Sequence, residues 1–328
     1  MIEKLLDRMA HERVTVMGEP IVDTYVFCVP ESISSKSPSI SARYVYEENY
    51  AGGSLAIANH LSDFVKEVNL LMTHGGEAYF VDLLNTKLDP RVRLVGQEIP
   101  NVPTPRKTRF IEGNILQRMF EITNLRSDQW LNHSPTRFCQ MMKDAASVDT
   151  VIVADFGHGL FEGQVLKNLS EIDRFIALNV QTNSSNQGFN PFTKHQHYSF
   201  LSIDTKEARM AYHDRHTAPF DLARRIRKDM PKKDMSLAIT LGPNGACFFP
   251  GDHAGEYRIP AFAGSVVDAT GAGDAFFAMT AMLVKIGAPE ILVPFLGNVF
   301  AGLKTKIIGN KMSVTRAQLL KAVSAILK

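Results

Sequence analysis

The chain has 328 residues, of which 45% are hydrophobic and 21% are charged, and its formal net charge at pH 7 is +2. This composition is that of a folded protein, and the length suits a single large α/β domain or two ordinary ones. Neither the balanced charge nor any apolar run favours nucleic acid or a membrane. The three cysteines are far apart and show neither metal-ligand nor disulfide spacing, which favours a cytoplasmic protein.

The first half of the chain alternates short apolar runs with turns. Strands are predicted at residues 14–18, 24–29, 42–46, 69–73 and 92–95, and a hairpin at 106–120 turns around Glu112-Gly113-Asn114. Residues 32–41 are rich in serine and proline and predict a loop. Gly52 and Gly53 open a helix of small residues, so a ligand can approach the first turn of that helix closely.

The second half predicts strands that alternate with helices. Residues 151–160 predict a strand that runs into a glycine turn, further strands are predicted at 175–179 and 198–203, and residues 237–249 predict a hairpin. The glycines at 157, 159 and 163 miss the dinucleotide-binding fingerprint by one spacing, which argues against a dehydrogenase. Because strands and helices alternate, we expect a mostly parallel sheet covered on both faces.

Residues 266–286 are the most informative stretch, and they predict a short strand, a glycine turn and an apolar helix. The backbone N–H groups around Gly271, Ala272 and Gly273 have no partner inside such a helix. Together with the helix dipole they form a site for an anion, most naturally a phosphate. Asp274 lies at the same end and can take a proton from a hydroxyl beside that phosphate. A simple helix cap has the same four residues, so both interpretations stand at this point.

Residues 268–276 resemble the signature of the ribokinase-like, or phosphofructokinase B, carbohydrate kinases. That signature is Asp-Thr-x-Gly-Ala-Gly-Asp, and Ala269 is the one departure from it. The resemblance implies a single domain over residues 1–328, folded as a three-layer α/β/α sandwich with a mostly parallel central sheet and a small β lid at about 24–50 and 104–122. It also implies ATP and Mg²⁺ as cofactors, and a homodimer formed through the lid.

The resemblance also implies roles for individual residues. Asp274 would be the general base, beside an anion hole at Gly271, Ala272 and Gly273. The implied nucleotide contacts are Asn179, Thr240, Gly242, Gly245 and Asn298, the implied Mg²⁺ contacts are Asp204 and Glu207, and the implied sugar contacts are Asp23, Gly52 and Gly53. Glu19 is a second candidate for the sugar-binding acid. The plainer alternatives are a solvated turn for Asp23 and a helix-capping pair for Asp204 and Glu207.

Three basic residues on the predicted lid resemble the basic lid residues of the bacterial heptose 7-phosphate kinases. In those kinases such residues bind a phosphate that the substrate already carries. They are Lys107, Arg109 and Arg118, and an ordinary solvated basic face is the alternative. Asp155-Phe156-Gly157-His158-Gly159 resembles Asp-Tyr-x-Lys-Gly of those kinases, so Asp155 is predicted to orient substrate or a metal-bound water. His158 is interpreted as a loop histidine, and residues 181–190 as an exposed, adaptable turn near the nucleotide.

The sequence therefore predicts ATP-dependent phosphorylation of a sugar or sugar phosphate, with a heptose 7-phosphate as the first candidate substrate. A ribose-, fructose- or nucleoside-type kinase is the second interpretation, because Ala56, His158 and Asn179 depart from the heptose kinase pattern. A third interpretation is a binding module of the same fold that senses a sugar phosphate or nucleotide without turnover. The intact Gly-Ala-Gly-Asp sequence argues against the third.

Overall fold

The strands of the protein form two sheets, built largely from the apolar runs of the sequence. The structure is a computed structural model and describes residues 1–33, 39–125, 135–230, 234–251 and 255–328. In chain order the strands are β1 Arg13–Gly18, β2 Pro20–Ile33, β3 Ile40–Gly53, β4 Glu67–His74, β5 Val92–Glu98, β6 Arg106–Glu112, β7 Gln117–Asn124, β8 Thr150–Asp155, β9 Phe175–Val180, β10 Phe200–Asp204, β11 Ser236–Thr240, β12 Ala246–Phe249 and β13 Tyr257–Ile259.

Helices cover both faces of the larger sheet. In chain order they are α1 Ile2–Met9, α2 Ser54–Leu61, α3 Ala78–Lys87, α4 Pro135–Ala145, α5 Gly163–Ser170, α6 Thr205–Ala211, α7 Pro219–Asp229, α8 Ala272–Lys285, α9 Leu292–Lys304 and α10 Arg316–Ile326. Alternate residues of β1 face opposite layers, because Val14 and Val16 pack in one apolar core while Met17 packs in the other with Phe138 of α4. Among the helices that the structure describes, none has both the length and the apolar character needed to cross a bilayer.

The larger sheet has the strand order β13-β12-β11-β10-β9-β8-β1-β4-β5. Its strands from β5 to β11 run parallel, and β12 and β13 add an antiparallel edge. Parallel strands under helices are buried on both faces, and all of β8 is buried accordingly. The predicted fold class, an α/β/α sandwich with a mostly parallel sheet, is confirmed. In such a sheet the carboxyl ends of the parallel strands meet at one edge, where ligands usually bind.

The smaller sheet has the order β3-β2-β6-β7, and Glu19 alone separates its strand β2 from β1. One face packs on the rest of the protein through a cluster of Tyr25, Phe27, Tyr50 and Ile111. Its strands span 20–53 and 106–124 with gaps, which overlaps the segments predicted as a lid. The loop predicted at 32–41 is shorter than expected, since β2 continues to Ile33 and β3 starts at Ile40, and residues 34–38 lie outside the described residues. We call this sheet the lid sheet.

The strand predicted at residues 266–268 is wrong. This segment is an irregular stretch before α8, and the N–H groups of Val267 and Asp268 both donate to the carbonyl of Thr305. A helix end therefore satisfies the backbone groups that a neighbouring strand would otherwise pair. The apolar side chains of Val266 and Val267 lie at the surface, so the short apolar run that predicted a strand does not reach the core.

Candidate active site

Gly271 allows α8 to begin directly after an abrupt turn. It is the N-cap residue, and its φ of 77° lies in the left-handed region that glycine tolerates best. A Cβ atom at this position would lie 2.6 Å from Oδ1 of Asn310, so a larger residue would also displace a neighbouring loop. Asp274 lies in the first turn of α8, at the positive end of the helix dipole.

The first turn of α8 offers N–H groups to an anion, although not all of those predicted. The N–H of Ala272 donates to the carbonyl of Ala269 at 3.2 Å, so it closes the turn and is not available as the sequence had predicted. The N–H groups of Gly271, Gly273 and Asp274 have no acceptor among the described residues. Three donors at a helix N-terminus remain a site for a phosphate.

Asp274 lines a cavity of about 570 Å³ and is itself only 8% exposed. Burial raises the pKa of its carboxyl to about 6, and a hydrogen bond of 2.7 Å from Nε2 of Gln181 opposes that rise. Asp23 raises the pKa further, while the cations of Lys107 and Lys304 lower it. The carboxyl group is therefore mostly ionised at neutral pH, yet basic enough to accept a proton.

Gln181 positions Asp274 and was not identified from the sequence. Its Nε2 group also donates to Oδ1 of Asn179 at 3.0 Å, and Asn179 in turn donates to the carbonyl of Ser202 at 2.7 Å. The two amides thus link the end of β9 and the strand β10 to the carboxylate. The available signal was a second polar residue two positions after Asn179, at the carboxyl end of the same strand.

The polar loop that follows Gln181 is partly exposed, as predicted, but hydrogen bonds anchor it, which corrects the prediction that it is adaptable. Asn183 and Asn186 both donate to the carbonyl of Phe156, at 2.7 and 3.1 Å. Asn190 is 3% exposed and donates to Oδ1 of Asp155 at 3.0 Å. The asparagines therefore fasten this loop to the end of β8, which fixes the residues that precede it in the chain.

The cavity collects most of the residues predicted to contact nucleotide and metal. Among the residues that line it are Asn179, Asp204, Glu207, Thr240, Gly242, Gly245, Gly271, Ala272, Gly273, Asp274 and Asn298. They come from β9, β10, β11, α6, α8 and α9, from the turn that follows β11 and from the turn before α8. Asn298 also holds the cavity wall together, because its amide donates to the carbonyls of Ile259 and Pro260. Elements far apart in the chain thus converge on one pocket.

Asp204 and Glu207 form a capping box at the start of α6. The N–H of Glu207 donates to Asp204 at 2.7 Å, the N–H of Asp204 donates to Glu207 at 2.6 Å, and the N–H of Thr182 also donates to Glu207. The capping interpretation is therefore correct. Burial raises the pKa of Glu207 to about 8, with Asp204 as the next cause, so a second negative charge is costly there unless a cation is near.

Asp204 and Glu207 also fit a magnesium ion that is held together with nucleotide. Mg²⁺ usually binds one or two carboxylates plus substrate phosphates and keeps several waters, so it does not need a cage of protein ligands. Both residues line the cavity, and the described residues contain no cluster of three or more His, Cys, Asp or Glu side chains arranged to hold a metal. This donor set suits an ion brought by a phosphate ligand.

Asp23 lies on the lid-sheet side of Asp274. It is 5% exposed, forms an ion pair with Arg109, and lies close enough to Asp274 to raise its pKa. A Cβ atom on Gly52 would lie 2.3 Å from Oδ2 of Asp23, so glycine makes room for this carboxylate. Gly53 has a φ of 61° at the start of α2 and leaves no space for a side chain beside the carbonyl of Glu19.

The three predicted phosphate-binding residues of the lid sheet have different environments. Arg109 is buried, and besides Asp23 it pairs with Glu121 at 2.9 Å. Lys107 is paired in register with Asp23, but its side-chain amine forms no ion pair or hydrogen bond within the described residues, and burial lowers the pKa of that amine. Arg109 is thus occupied by acids, whereas Lys107 is a cation beside Asp23 and Asp274 with donors to spare.

Arg118 and Tyr25 connect the lid sheet to the start of α8. Arg118 contacts both Asp268 and Thr270, and the hydroxyl of Tyr25 donates to Asp268 at 2.6 Å and lies 3.0 Å from Oγ1 of Thr270. Although burial alone would raise the pKa of Asp268, hydrogen bonds from Tyr25 and from the N–H of Thr270 lower it to about 2. Asp268 is therefore an ionised junction between the lid sheet and the turn before α8.

Asp155 does not face the cavity, contrary to its predicted contact with substrate. Its side chain has no exposed surface and is surrounded by Lys194 at 2.9 Å, His195 at 2.8 Å, Asn190 and the N–H of Gly157. Both carboxylate oxygens are therefore used to join β8 to later loops. The apparent motif identified an acid at a strand end correctly, but this acid is structural.

Glu19 is structural for the same reason. Its carboxylate accepts the N–H groups of Phe156, His158 and Leu160, at 2.7 to 3.2 Å, and so shapes the turn after β8. Burial raises its pKa to about 8. His158 in that turn is 1% exposed, and burial lowers its pKa to about 3, so it is neutral and is a buried loop residue.

The sequence of the chain matches one known protein family over most of its length. The model for the pfkB family carbohydrate kinases matches residues 13–293. The chain belongs to the pfkB family. The predicted resemblance is thereby confirmed. The residues that it implied as nucleotide contacts are among those that line the cavity.

Individual relatives agree with this family. The chain is 25% identical over 311 residues to the bifunctional protein HldE of Geobacter metallireducens, a match that covers 94% of this chain and 62% of that protein. It thus spans less than two thirds of the length of the curated relatives it matches. Among solved structures, a putative ribokinase from Agrobacterium tumefaciens is similar with a TM-score of 0.79, 16% identity and coverage of 97% and 99% of the two chains. The structure of Arabidopsis thaliana ribokinase, complexed with ribose and ATP, has a TM-score of 0.70 and 18% identity, and the match covers 95% of this chain and 99% of that chain.

Proposed function

We propose that this protein transfers the γ-phosphoryl group of ATP to a hydroxyl of a sugar or sugar phosphate. One observation supports this most strongly. Asp274, with a pKa of about 6, lies between a nucleotide-sized cavity on one side and the buried Asp23 and half-buried Lys107 on the other. A base at that point can reach a hydroxyl that faces the terminal phosphate of a bound nucleotide.

The proposed reaction is an in-line displacement. Asp274 accepts the proton of the sugar hydroxyl as the hydroxyl oxygen forms its bond to the γ-phosphorus, and the bond from that phosphorus to the β-γ bridging oxygen breaks to release ADP. Negative charge on the transferring group is met by the free N–H groups of Gly271, Gly273 and Asp274 and by the helix dipole. Gln181 keeps the carboxylate in place throughout by its hydrogen bond of 2.7 Å.

The proposed nucleotide contacts follow the cavity wall. The small residues Ala301 and Gly302 on α9 leave room for a base beside Asn298. Thr240 ends β11, and Gly242 and Gly245 lie on the turn between β11 and β12. Gly242 and Gly245 both have positive φ, which lets this turn present its backbone to a phosphate chain. Asp204 and Glu207 would hold Mg²⁺, which neutralises phosphate charge when it is bound.

For the acceptor, we propose a sugar that carries a phosphate, with a heptose 7-phosphate as the first choice. The basic residues of the lid sheet resemble those of the heptose 7-phosphate kinases, and the amine of Lys107 supplies a cation on the proposed sugar side. Arg109 instead supports Asp23, which would accept hydrogen bonds from sugar hydroxyls. Lys107→Ala should raise KM for a sugar phosphate far more than KM for ATP. An unchanged KM for the sugar phosphate would favour a ribose-, fructose- or nucleoside-type acceptor.

Release of ADP, measured over a panel of sugars and sugar phosphates, tests the proposed function. Turnover that needs both ATP and one class of acceptor supports a kinase, and the class identifies the substrate. Binding of a sugar phosphate and nucleotide by calorimetry without release of ADP would instead support the non-catalytic binding module. A matched control is Asp274→Asn, which keeps the shape of the side chain and an acceptor for Gln181 but removes the base.

We also propose that two copies associate through the lid sheet. The rings of Phe110 and Phe120 stack with their centroids 4.4 Å apart on one face of that sheet. Phe120 is 50% exposed, and Ile122 is 54% exposed. An apolar face of this kind is more stable when a second copy covers it. Ile122→Lys should shift the sedimentation coefficient from that of a dimer to that of a monomer, and a monomeric wild-type protein would contradict the proposal.

A further inference from the structure

Lys304 is a buried cation directly beneath the turn that precedes α8. It is the last residue of α9, its side chain has no exposed surface, and it forms no ion pair within the described residues. Its Nζ atom contacts three backbone carbonyls, those of Thr270 at 2.8 Å, Ile307 at 3.4 Å and Gly309. An ammonium group has three N–H donors and no acceptor, so three carbonyls match its charged form.

The turn at Thr270 and the loop at Gly309 are also joined by a half-buried anion, Asp268. Asp268 accepts the N–H groups of Thr270 and Gly309, at 3.0 and 2.8 Å. Lys304 accepts nothing and donates to the carbonyls of those same two residues. Asp268 therefore accepts hydrogen bonds from the N–H groups of Thr270 and Gly309, and Lys304 donates hydrogen bonds to the carbonyls of the same two residues. Burial lowers the pKa of Lys304, and Asp268 is the largest influence that opposes this.

This contact sets the direction of a peptide group in the proposed anion hole. A trans peptide holds its C=O and N–H bonds on opposite sides, so a Thr270 carbonyl drawn towards Lys304 turns the N–H of Gly271 away from it. That N–H has no acceptor within the described residues, and Gly271 lines the cavity. Lys304 also lowers the pKa of Asp274, so it favours the ionised base.

We propose that Lys304 is a built-in cation that positions the Thr270–Gly271 peptide, so that the protein needs no dissolved monovalent cation at this point. Carbonyl oxygens that converge on one buried position form a site that potassium or ammonium ions can fill, and here the lysine fills it. Lys304 acts through the backbone and is a positioning residue. Its effect on turnover rests on the proposed kinase activity, whereas its effect on the loop does not.

The first test compares the wild-type protein in potassium, sodium and tetramethylammonium chloride at equal ionic strength. We expect the rate of ADP release and the Tm to be the same in all three salts. Activation by potassium of about tenfold or more, or a Tm that rises only with potassium, would overturn the proposal. The Tm comparison keeps its meaning even if no acceptor supports turnover, which is how failure of the kinase proposal would be recognised.

The second test removes the cation and returns it from solution. Lys304→Ala should lower kcat by about 10²-fold, as loss of an oriented anion-hole donor does, and potassium or ammonium should restore both rate and Tm while tetramethylammonium, which is too large, should not. Lys304→Met fills the space without charge and should not be rescued. Lys306→Ala, an exposed lysine two residues later, is the matched control and should behave as wild type. Wild-type kcat in Lys304→Met, or rescue by tetramethylammonium, would refute the proposal.

Discussion

Asp274→Asn should separate catalysis from stability, because the same burial that tunes the base also destabilises the folded protein. Burial raises the pKa of Asp274 from 3.8 to about 6. At 1.36 kcal/mol for each pH unit, a buried ionised carboxylate costs about 3 kcal/mol of folding stability at neutral pH. Asparagine carries no charge and still accepts the hydrogen bond from Gln181, so the variant should unfold at a higher temperature than the wild type.

The rate should change in the opposite direction. Removal of a general base lowers kcat by roughly 10²- to 10⁴-fold. For the wild type, kcat/KM should fall as the pH drops through about 6, because the protonated carboxyl cannot accept a second proton. At pH 5, about one tenth of the kcat/KM measured at neutral pH should remain. The free energy of unfolding changes in the opposite direction, because the folded state binds the proton of Asp274 more tightly than the unfolded state does. The destabilisation caused by Asp274 therefore becomes smaller as the pH falls below 6.

The assay combines an ADP-release rate profile from pH 4.5 to 8.5 with thermal melts of both proteins at pH 7. We expect a more stable and nearly inactive variant, together with an acid limb near pH 6 in the wild type. A variant that keeps more than about a tenth of the wild-type kcat would refute the role of Asp274 as base. A variant that is inactive and also less stable would instead indicate that the carboxylate is structural.

Further expectations concern the neighbours of this carboxylate. Gln181→Leu should move the acid limb of the rate profile to higher pH, because the hydrogen bond from Gln181 lowers the pKa of Asp274, and an unmoved limb would contradict that link. Gly52→Ala should raise KM for the sugar and leave KM for ATP unchanged, since the added Cβ would lie 2.3 Å from Oδ2 of Asp23. Glu207 should make the free energy of unfolding fall as the pH rises from about 4.5 to about 8, and Glu207→Gln melts at pH 6 and 9 should show a smaller fall than the wild type.

The lining of the cavity could be predicted because it depends on backbone geometry that short motifs encode. Gly271 at a positive φ, Gly242 and Gly245 on one turn, and Asp204 with Glu207 at a helix start are local features, and all of them line the cavity. A parallel sheet brings such strand ends to a common edge, so their order along the chain was sufficient.

The failures concern side chains whose partners are distant in the chain. Asp155 and Asp23 have similar settings in the sequence, each at or near a strand end, but Lys194, His195 and Asn190 occupy the oxygens of Asp155 only in the folded protein. Tyr25 lies 243 positions before its acceptor Asp268, and no local pattern indicates such a contact. The run after residue 180 was interpreted as an adaptable turn because the carbonyl that its asparagine amides bind lies in another loop.

The hydroxyl of Tyr25 and the guanidinium of Arg118 make the lid sheet and the turn before α8 one hydrogen-bonded assembly. If the proposed function holds, we expect a sugar bound against the lid sheet to change the same assembly that positions donors for the phosphate. A lone water molecule makes no such contacts with the lid sheet. We therefore expect this link to couple phosphoryl transfer to acceptor binding and to keep hydrolysis of the nucleotide slow.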